Sequence, residues 1–186
     1  MWCEKECFGE PEILNSITSL AIALAGVFGI RNVGFSVAWV ALVVTGFGSF
    51  AFHWTETEMT RIVDEGGIVI YGAWWYFNHS RISKACSLFL WTFIIHQTIW
   101  NNDGRACILQ MSTCVIGGFL GKKDNPLSAK AYLSFYIALG CWLLDLFACV
   151  CSFPVMHSAW HLAIAVAAYQ GTSDILLHDE EDLFYV

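Results

Sequence analysis

Long apolar stretches separated by short polar segments run through the whole chain. A helix needs about 20 apolar residues to cross a bilayer, within a range of about 17–25. The pattern predicts seven such helices, near residues 13–31, 34–53, 62–78, 84–101, 105–121, 129–151 and 155–177. We therefore predict an all-α, seven-transmembrane helical bundle, a single domain over residues 1–186 with a short acidic N-terminal segment (1–12) and a short acidic C-terminal tail (178–186).

Composition favours a membrane protein and argues against some partners. Hydrophobic residues make up 57% of the chain and charged residues only 13%, with a mean hydropathy of +0.57, which is more apolar than a typical soluble domain. The net charge of −7 argues against a nucleic-acid partner, because phosphate binding needs clustered Lys and Arg. The sequence indicates no obligate protein partner.

The basic residues predict how the bundle is oriented. With seven crossings, the face that carries the N-terminus holds three of them: Lys5, Arg61 and Arg105. The opposite face holds six: Arg31, Arg81, Lys84, Lys122, Lys123 and Lys130. Cytoplasmic loops carry an excess of Lys and Arg. We therefore expect a luminal or extracellular N-terminus and a cytosolic C-terminus.

Five polar residues that are far apart in the chain are expected to meet at the luminal face: Ser49, His53, Asp64, His157 and His161. Ser49 and His53 are four residues apart and share one face of a helix, and the same holds for His157 and His161. The third helix starts at this face, which puts Asp64 in its first turn. Ionisable groups are costly inside a bilayer, so their recurrence at one depth indicates a functional site.

These residue types suit a zinc-dependent hydrolase. Catalytic zinc takes three protein ligands and keeps a fourth position for water, and His53, His157 and His161 are the predicted ligands. A carboxylate such as Asp64 can move a proton between water and the leaving group, and Ser49 can donate a hydrogen bond to the developing oxyanion. Simpler interpretations exist for each residue, because Ser49 can bond to its own helix backbone and Asp64 can favour a helix N-terminus.

Two other polar residues bear on this site. Asp145, about one turn from the luminal end of the sixth helix, either accepts a hydrogen bond from a ligand histidine or is a packing carboxylate held by a neighbour. His96 in the fourth helix is a competing ligand, but it lacks a paired partner, and we interpret it as structural.

Four cysteines are predicted on the luminal side, where disulfides persist. Cys3 and Cys7 precede the first helix, and Cys149 and Cys151 lie at the luminal end of the sixth. A bridge from the first pair to the second is predicted, but residue spacing alone does not give its connectivity.

Several short motifs occur in order along the chain: WCE at 2–4, ExxN at 12–15, GSFAFHxT at 48–55, DE at 64–65, WLLD at 142–145 followed by Cys149, and HSAWH at 157–161. In this combination the chain resembles the alkaline ceramidases. They belong to a superfamily of seven-helix membrane hydrolases that also includes the progestin and adiponectin receptors.

The resemblance implies hydrolysis of the amide bond of ceramide, or of a related lipid, to a sphingoid base and a fatty acid. By the same resemblance the three histidines hold zinc, Ser49 and Asp64 assist the water, and a disulfide joins Cys3 to Cys149. We expect a multi-pass membrane protein of the endoplasmic reticulum or Golgi.

A calcium site is also implied by the resemblance. Its ligands are the backbone carbonyl of Trp2 and the carboxylates of Glu4, Glu6 and Glu12. Clustered oxygen ligands in a short segment are what Ca²⁺ prefers. The alternative is that this segment is simply a solvated acidic stretch.

Two other functions remain open on the sequence. One is a lipid receptor or binding protein of the same architecture, with structural zinc and little or no turnover. The other is an intramembrane serine hydrolase that uses Ser49. It is less favoured because Ser49 and His53 share one helix and no Gly-x-Ser-x-Gly elbow is present.

Overall fold

The structure of the protein is a computed structural model, which describes residue 7, residues 12–79, residues 91, 94 and 95, residues 127–147 and residues 155–184. Five helices lie within these residues: α1 (Ile13–Asn32), α2 (Val37–Thr55), α3 (Glu58–His79), α4 (Ala129–Phe147) and α5 (Met156–Phe184). They correspond to the first, second, third, sixth and seventh predicted spans. The all-α fold is thus confirmed for the described residues. The fourth and fifth predicted spans fall almost wholly outside them, so the count of seven stays a prediction.

Three of the helices in the described part of the chain are long and apolar enough to cross a membrane: Ile13–Asn32, Val37–Thr55 and Ala129–Phe147. Large apolar side chains also cover their outer surfaces, since Phe47 is 57% exposed and Leu133 is 62% exposed. Many large apolar side chains are exposed on these helices, which is typical of contact with a membrane or a partner, and the length of the helices favours the membrane. The orientation of the termini stays a prediction.

Polar residues at the helix ends shift two of the predicted boundaries. The side-chain oxygen of Ser36 accepts a hydrogen bond of 3.3 Å from the backbone N–H of Ala38, so α2 begins after this cap. Thr57 caps α3 in the same way, accepting from the backbone N–H of Thr60 at 3.3 Å. As a result α3 starts before the predicted position 62, in the polar segment. Gly34, with a φ of 115°, makes the turn between α1 and α2 in a conformation that only glycine adopts easily.

The last helix is longer than the predicted span. It continues to Phe184, and therefore includes most of the segment that we predicted as an acidic tail. That segment contains neither Gly nor Pro, so nothing in its sequence forces the helix to end at the predicted membrane boundary.

Close helix packing positions the site. Helix α1 packs against both α2 and α5, while α2 also packs against α3 and α4 packs against α5. At Gly29 an added Cβ would overlap the indole of Trp39, so this glycine allows α1 and α2 to approach. Their shared apolar core contains Ile22, Ala25, Trp39, Leu42, Ala165 and Ala168. On α1 this core lies C-terminal to the polar residues described next.

Candidate metal centre

Three histidines from two helices come together at one end of the bundle. His53 lies in the last turn of α2, and His157 and His161 lie in the first two turns of α5. All three are buried, with at most 2% of the residue exposed. Their ring centroids are 4.6 to 5.3 Å apart. One ligand nitrogen from each lies within 4.8 Å of the others, so the three side chains can share one metal ion.

His53 is held by the residue that precedes α1. Its Nδ1 lies 2.5 Å from Oε2 of Glu12, and the backbone N–H of Glu12 donates to the carbonyl of His53 at 3.1 Å. A carboxylate oxygen accepts hydrogen bonds, so this contact assigns the proton to Nδ1. It leaves the lone pair of Nε2 available to a metal.

His161 is held by Thr18 of α1. The hydroxyl of Thr18 donates to the carbonyl of Leu14 at 2.7 Å, and its oxygen lies 3.1 Å from Nδ1 of His161. Because its only proton is committed to the backbone, the hydroxyl accepts from Nδ1–H of His161. Among the described residues, Nε2 of His161 is buried and has no hydrogen-bond partner. A buried nitrogen without a partner is costly, and a metal ion would satisfy it.

The third histidine faces a carboxylate on α4. Nδ1 of His157 lies 3.5 Å from Oδ2 of Asp145, and both side chains are buried. Each histidine therefore presents Nδ1 to a polar group on the outside of the cluster. Metal-binding histidines usually have such a partner, which orients the ring. The donor set of three imidazoles fits zinc, whose catalytic sites commonly use three protein ligands.

The predicted proton carrier and hydrogen-bond donor lie beside the histidines. The carboxylate of Asp64 lies close enough to the hydroxyl of Ser49 and to His53 to interact electrostatically with both. On its other side Ser49 contacts Ser19 of α1, with the two hydroxyl oxygens 3.1 Å apart. Asp64 is partly buried, whereas Ser19 and Ser49 are almost fully buried.

Gly48 makes this arrangement possible. A Cβ built at this position would lie 2.8 Å from the backbone nitrogen of Asp64, closer than real side chains come to a backbone. Helix α3 can therefore pack directly on α2 only because position 48 has no side chain. The close approach brings Asp64 to the serine and the histidine on α2.

Not every predicted site residue can be located. Trp2, Glu4, Glu6, Cys3 and Cys149 lie outside the described residues, as does His96, so the calcium site and the Cys3–Cys149 disulfide stay predictions. Cys7 is disulfide-bonded. Glu12, proposed as a calcium ligand, is 2% exposed and contacts His53 rather than lying in a solvated segment.

Sequence reasoning missed four polar residues that support the site. Thr18 and Ser19 contact His161 and Ser49 directly. Ser158 donates to Oδ1 of Asn15 at 2.7 Å, and the amide of Asn15 donates to Oε2 of Glu12 at 3.0 Å. A signal for this helix face was present in the sequence, because the buried polar residues at the start of the first helix and just before it repeat at helical spacing: Glu12, Asn15, Ser16 and Ser19.

An apolar cavity of about 140 Å³ begins one helical turn from these groups. Thr45 lies one turn before Ser49 on α2, Ile68 one turn after Asp64 on α3, and Trp160 next to His161 on α5, and all three line the cavity. The indole of Trp160 also packs on both neighbouring histidines, with ring centroids 5.1 and 4.9 Å apart. The polar cluster and the cavity are thus parts of one continuous region of the bundle.

Comparison with known proteins gives one distant similarity. The chain is similar to a Drosophila melanogaster protein described as "Alkaline ceramidase", with 24% identity over 161 residues. The match covers 73% of this chain and 57% of the fly protein, so the chain spans little more than half the length of this relative. No family model matches the chain, and no solved structure matches it.

Proposed function

We propose that the protein is a zinc-dependent intramembrane amidohydrolase that cleaves the amide bond of ceramide to a sphingoid base and a free fatty acid. The observation that carries the proposal is the buried cluster of three histidines with a carboxylate and a hydroxyl beside it. The similarity to the fly alkaline ceramidase supports the substrate class. Three apolar helices support a site inside the membrane.

A bound zinc ion supplies Lewis acidity and an activated water. The imidazoles that would hold it belong to His53, His157 and His161. Their Nδ1 atoms face Glu12, Asp145 and Thr18, so the ring orientations are set before a metal arrives. Such preorganisation favours tight binding, because little conformational entropy remains to be lost.

Amide hydrolysis joins a water oxygen to the carbonyl carbon, breaks the carbon–nitrogen bond and leaves a proton on the amine. Asp64 accepts the proton that the attacking water loses and returns it to the leaving nitrogen. Ser49 donates a hydrogen bond to the carbonyl oxygen as negative charge develops there. Its neighbour Ser19 holds the hydroxyl at the required position. General acid–base catalysis of this kind contributes about 10²–10⁴ in rate.

The apolar cavity supports a lipid substrate. Its lining is almost entirely apolar and includes side chains of all five helices. A lipid whose polar amide lies at the histidines can extend an apolar chain into this space without exposing it to water, which is favourable. A water-soluble amide would leave the cavity unfilled.

The remaining assignments rest on the resemblance and are part of the proposal. The N-terminal segment is proposed to bind calcium through the Trp2 carbonyl, Glu4, Glu6 and Glu12. Both described contacts of the Glu12 side chain use Oε2, and the carboxylate has a second oxygen for a cation. A Cys3–Cys149 disulfide, a luminal N-terminus and residence in the endoplasmic reticulum or Golgi complete the proposal.

The direct test is to incubate purified protein in detergent micelles with mixed ceramides and to measure the lipids by mass spectrometry. We expect release of sphingoid base and fatty acid in equal amounts, loss of activity with a metal chelator, and recovery on adding zinc. A serine-reactive phosphonate should have no effect, which separates this enzyme from a serine hydrolase. Zinc-dependent folding without any turnover would contradict the proposal and identify a lipid-binding protein instead.

A further inference from the structure

The end of the cavity farthest from the histidines contains several small residues beside Leu127. Along α5 the lining runs from Trp160 to Gly171, about 16 Å at the usual helix rise. The far end is formed by Gly171 with residues of α4 and α5 that include Ala131, Ala167 and Ala168. Side-chain size at this end therefore determines how deep the cavity is.

Two glycines line the cavity, and they differ in what surrounds them. At Gly72 an added Cβ would overlap the indole of Trp91, so that glycine is needed for packing. At Gly171 the nearest atoms to an added Cβ are Cδ2 of Leu127 at 3.8 Å and Cβ of Ala131 at 4.0 Å. These are ordinary contact distances, so position 171 can accept a Cβ without a shift of the backbone.

Polar contacts hold the wall around Gly171 in place. The hydroxyls of Thr172 and Tyr71 are 3.0 Å apart and join α5 to α3. The carboxylate of Asp174 accepts a hydrogen bond of 2.8 Å from the backbone N–H of Ser128, which joins α5 to the start of α4. Because these contacts join α5 to its neighbours, we expect a larger side chain at 171 to reduce the cavity rather than to separate the helices.

We propose that Gly171 is a specificity-determining residue, whose lack of a side chain sets the longest lipid chain that the cavity accepts. The inference rests on the proposed function, because the chain is taken to be that of the ceramide substrate. It predicts that substitution at 171 discriminates between substrates by chain length and leaves the polar cluster unchanged.

The test compares Gly171→Leu and Gly171→Ala with the wild-type protein. Turnover of stearoyl-ceramide and octanoyl-ceramide is measured in competition, and the ratio of their kcat/KM values is the readout. Gly171→Leu should lower the long-to-short ratio by about tenfold or more, since a single methylene group that does not fit an apolar pocket already discriminates by about 10–200-fold. Gly171→Ala should change it in the same direction by less. Zinc content should remain that of the wild type.

Gly140→Leu on α4 is the matched control. Its added Cβ meets no atom within 4 Å and it does not line the cavity, while the gain in helix propensity is the same. Its length ratio should equal that of the wild type. An unchanged ratio in folded Gly171→Ala and Gly171→Leu would overturn the inference, and Gly171→Ala alone decides if the leucine variant does not fold.

A binding measurement separates this inference from the proposed function. Displacement of a fluorescent fatty acid by stearate and by octanoate needs no turnover. If no variant hydrolyses ceramide but Gly171→Leu loses affinity for stearate only, the proposed function fails and the role of residue 171 stands. If wild type and Gly171→Leu bind both acids alike, the role of residue 171 is rejected.

Discussion

The two ends of the same helices bury different kinds of side chain. The polar end comprises the buried residues Glu12, Asn15, Ser16, Ser19, Ser49, His53, Asp145, His157, Ser158 and His161. The apolar end comprises Ile22, Ala25, Trp39, Leu42, Ala165 and Ala168. Both ends are closely packed, but the histidines and their polar contacts lie at the polar end, whereas the six residues of the apolar end are all hydrophobic.

The residues proposed for catalysis and the residues that only stabilise the bundle thus lie at different ends of the helices. Buried polar groups cost free energy unless each has a partner, and at the polar end the contacts run from one residue to the next, as from Ser158 to Asn15 to Glu12. Removing one member therefore leaves another unsatisfied. At the apolar end contacts are not directional, so a smaller side chain costs stability without altering chemistry.

His157→Ala and Ile175→Ala test this separation on one helix, since both residues are buried on α5. His157→Ala should abolish zinc binding and turnover, because only two imidazoles remain. Ile175→Ala should lower the free energy of unfolding by about 2–5 kcal/mol and keep the zinc. Elemental analysis of purified protein measures the metal, and denaturation in micelles measures stability. Equal zinc contents in the two variants would contradict the assignment.

Asp64→Asn should keep the metal and lose most of the rate. The amide cannot accept the proton from water, so kcat should fall about 10²–10⁴-fold. Glu65→Gln is the control, because the neighbouring carboxylate is paired with Arg61 at 2.7 Å and has no proposed role in the reaction. Rates and zinc contents of both variants are measured side by side. A wild-type rate in Asp64→Asn would reject its role as the proton carrier.

Thr18→Val removes the acceptor for Nδ1–H of His161 and retains the shape of the side chain. Loss of such a partner typically weakens metal binding about 10–100-fold, which competition with a chelator of known affinity measures. Thr18→Ser keeps the hydroxyl and should bind zinc as the wild type does. If the valine and serine variants bind equally well, the contact does not orient His161.

Gly48→Ala should give the smallest effect, on stability. Its Cβ forces α2 away from the backbone of Asp64, and overpacking of this kind costs about 1–3 kcal/mol. At Gly66, the matched site on α3, an added Cβ meets no atom within 4 Å, so Gly66→Ala should be neutral or stabilising by up to about 1 kcal/mol. Thermal unfolding in micelles compares the two. A stability for Gly48→Ala at or above that of Gly66→Ala would show that the helices do not depend on this close approach.

The sequence allowed the helices and the histidines to be predicted, for a definite physical reason. Apolar length identifies a spanning helix, and a spacing of four residues places Ser49 with His53, and His157 with His161, on common faces. The rotation of one helix against another leaves no such signal. The contact of Thr18 with His161 joins residues 143 positions apart and could not be predicted.

Glu12 is a second residue whose contact with another helix could not be predicted. The resemblance implied that its carboxylate is a calcium ligand, and that role stays a prediction. The sequence pattern does not predict that the start of α1 packs against the end of α2. The structure supplies that packing and with it the contact to His53.

The residues that contact Nδ1 of the three histidines come from separate parts of the chain. They are Glu12 before α1, Thr18 in the first half of α1, and Asp145 in the last turn of α4. No single pair of consecutive helices contains all three histidines and the residues that contact them. Full affinity for the metal should therefore arise only after insertion and assembly of the bundle, since binding and folding are coupled in such sites. Nascent or partly inserted chains would therefore compete poorly for cellular zinc. A bound metal ion would indicate that the bundle is fully inserted and assembled.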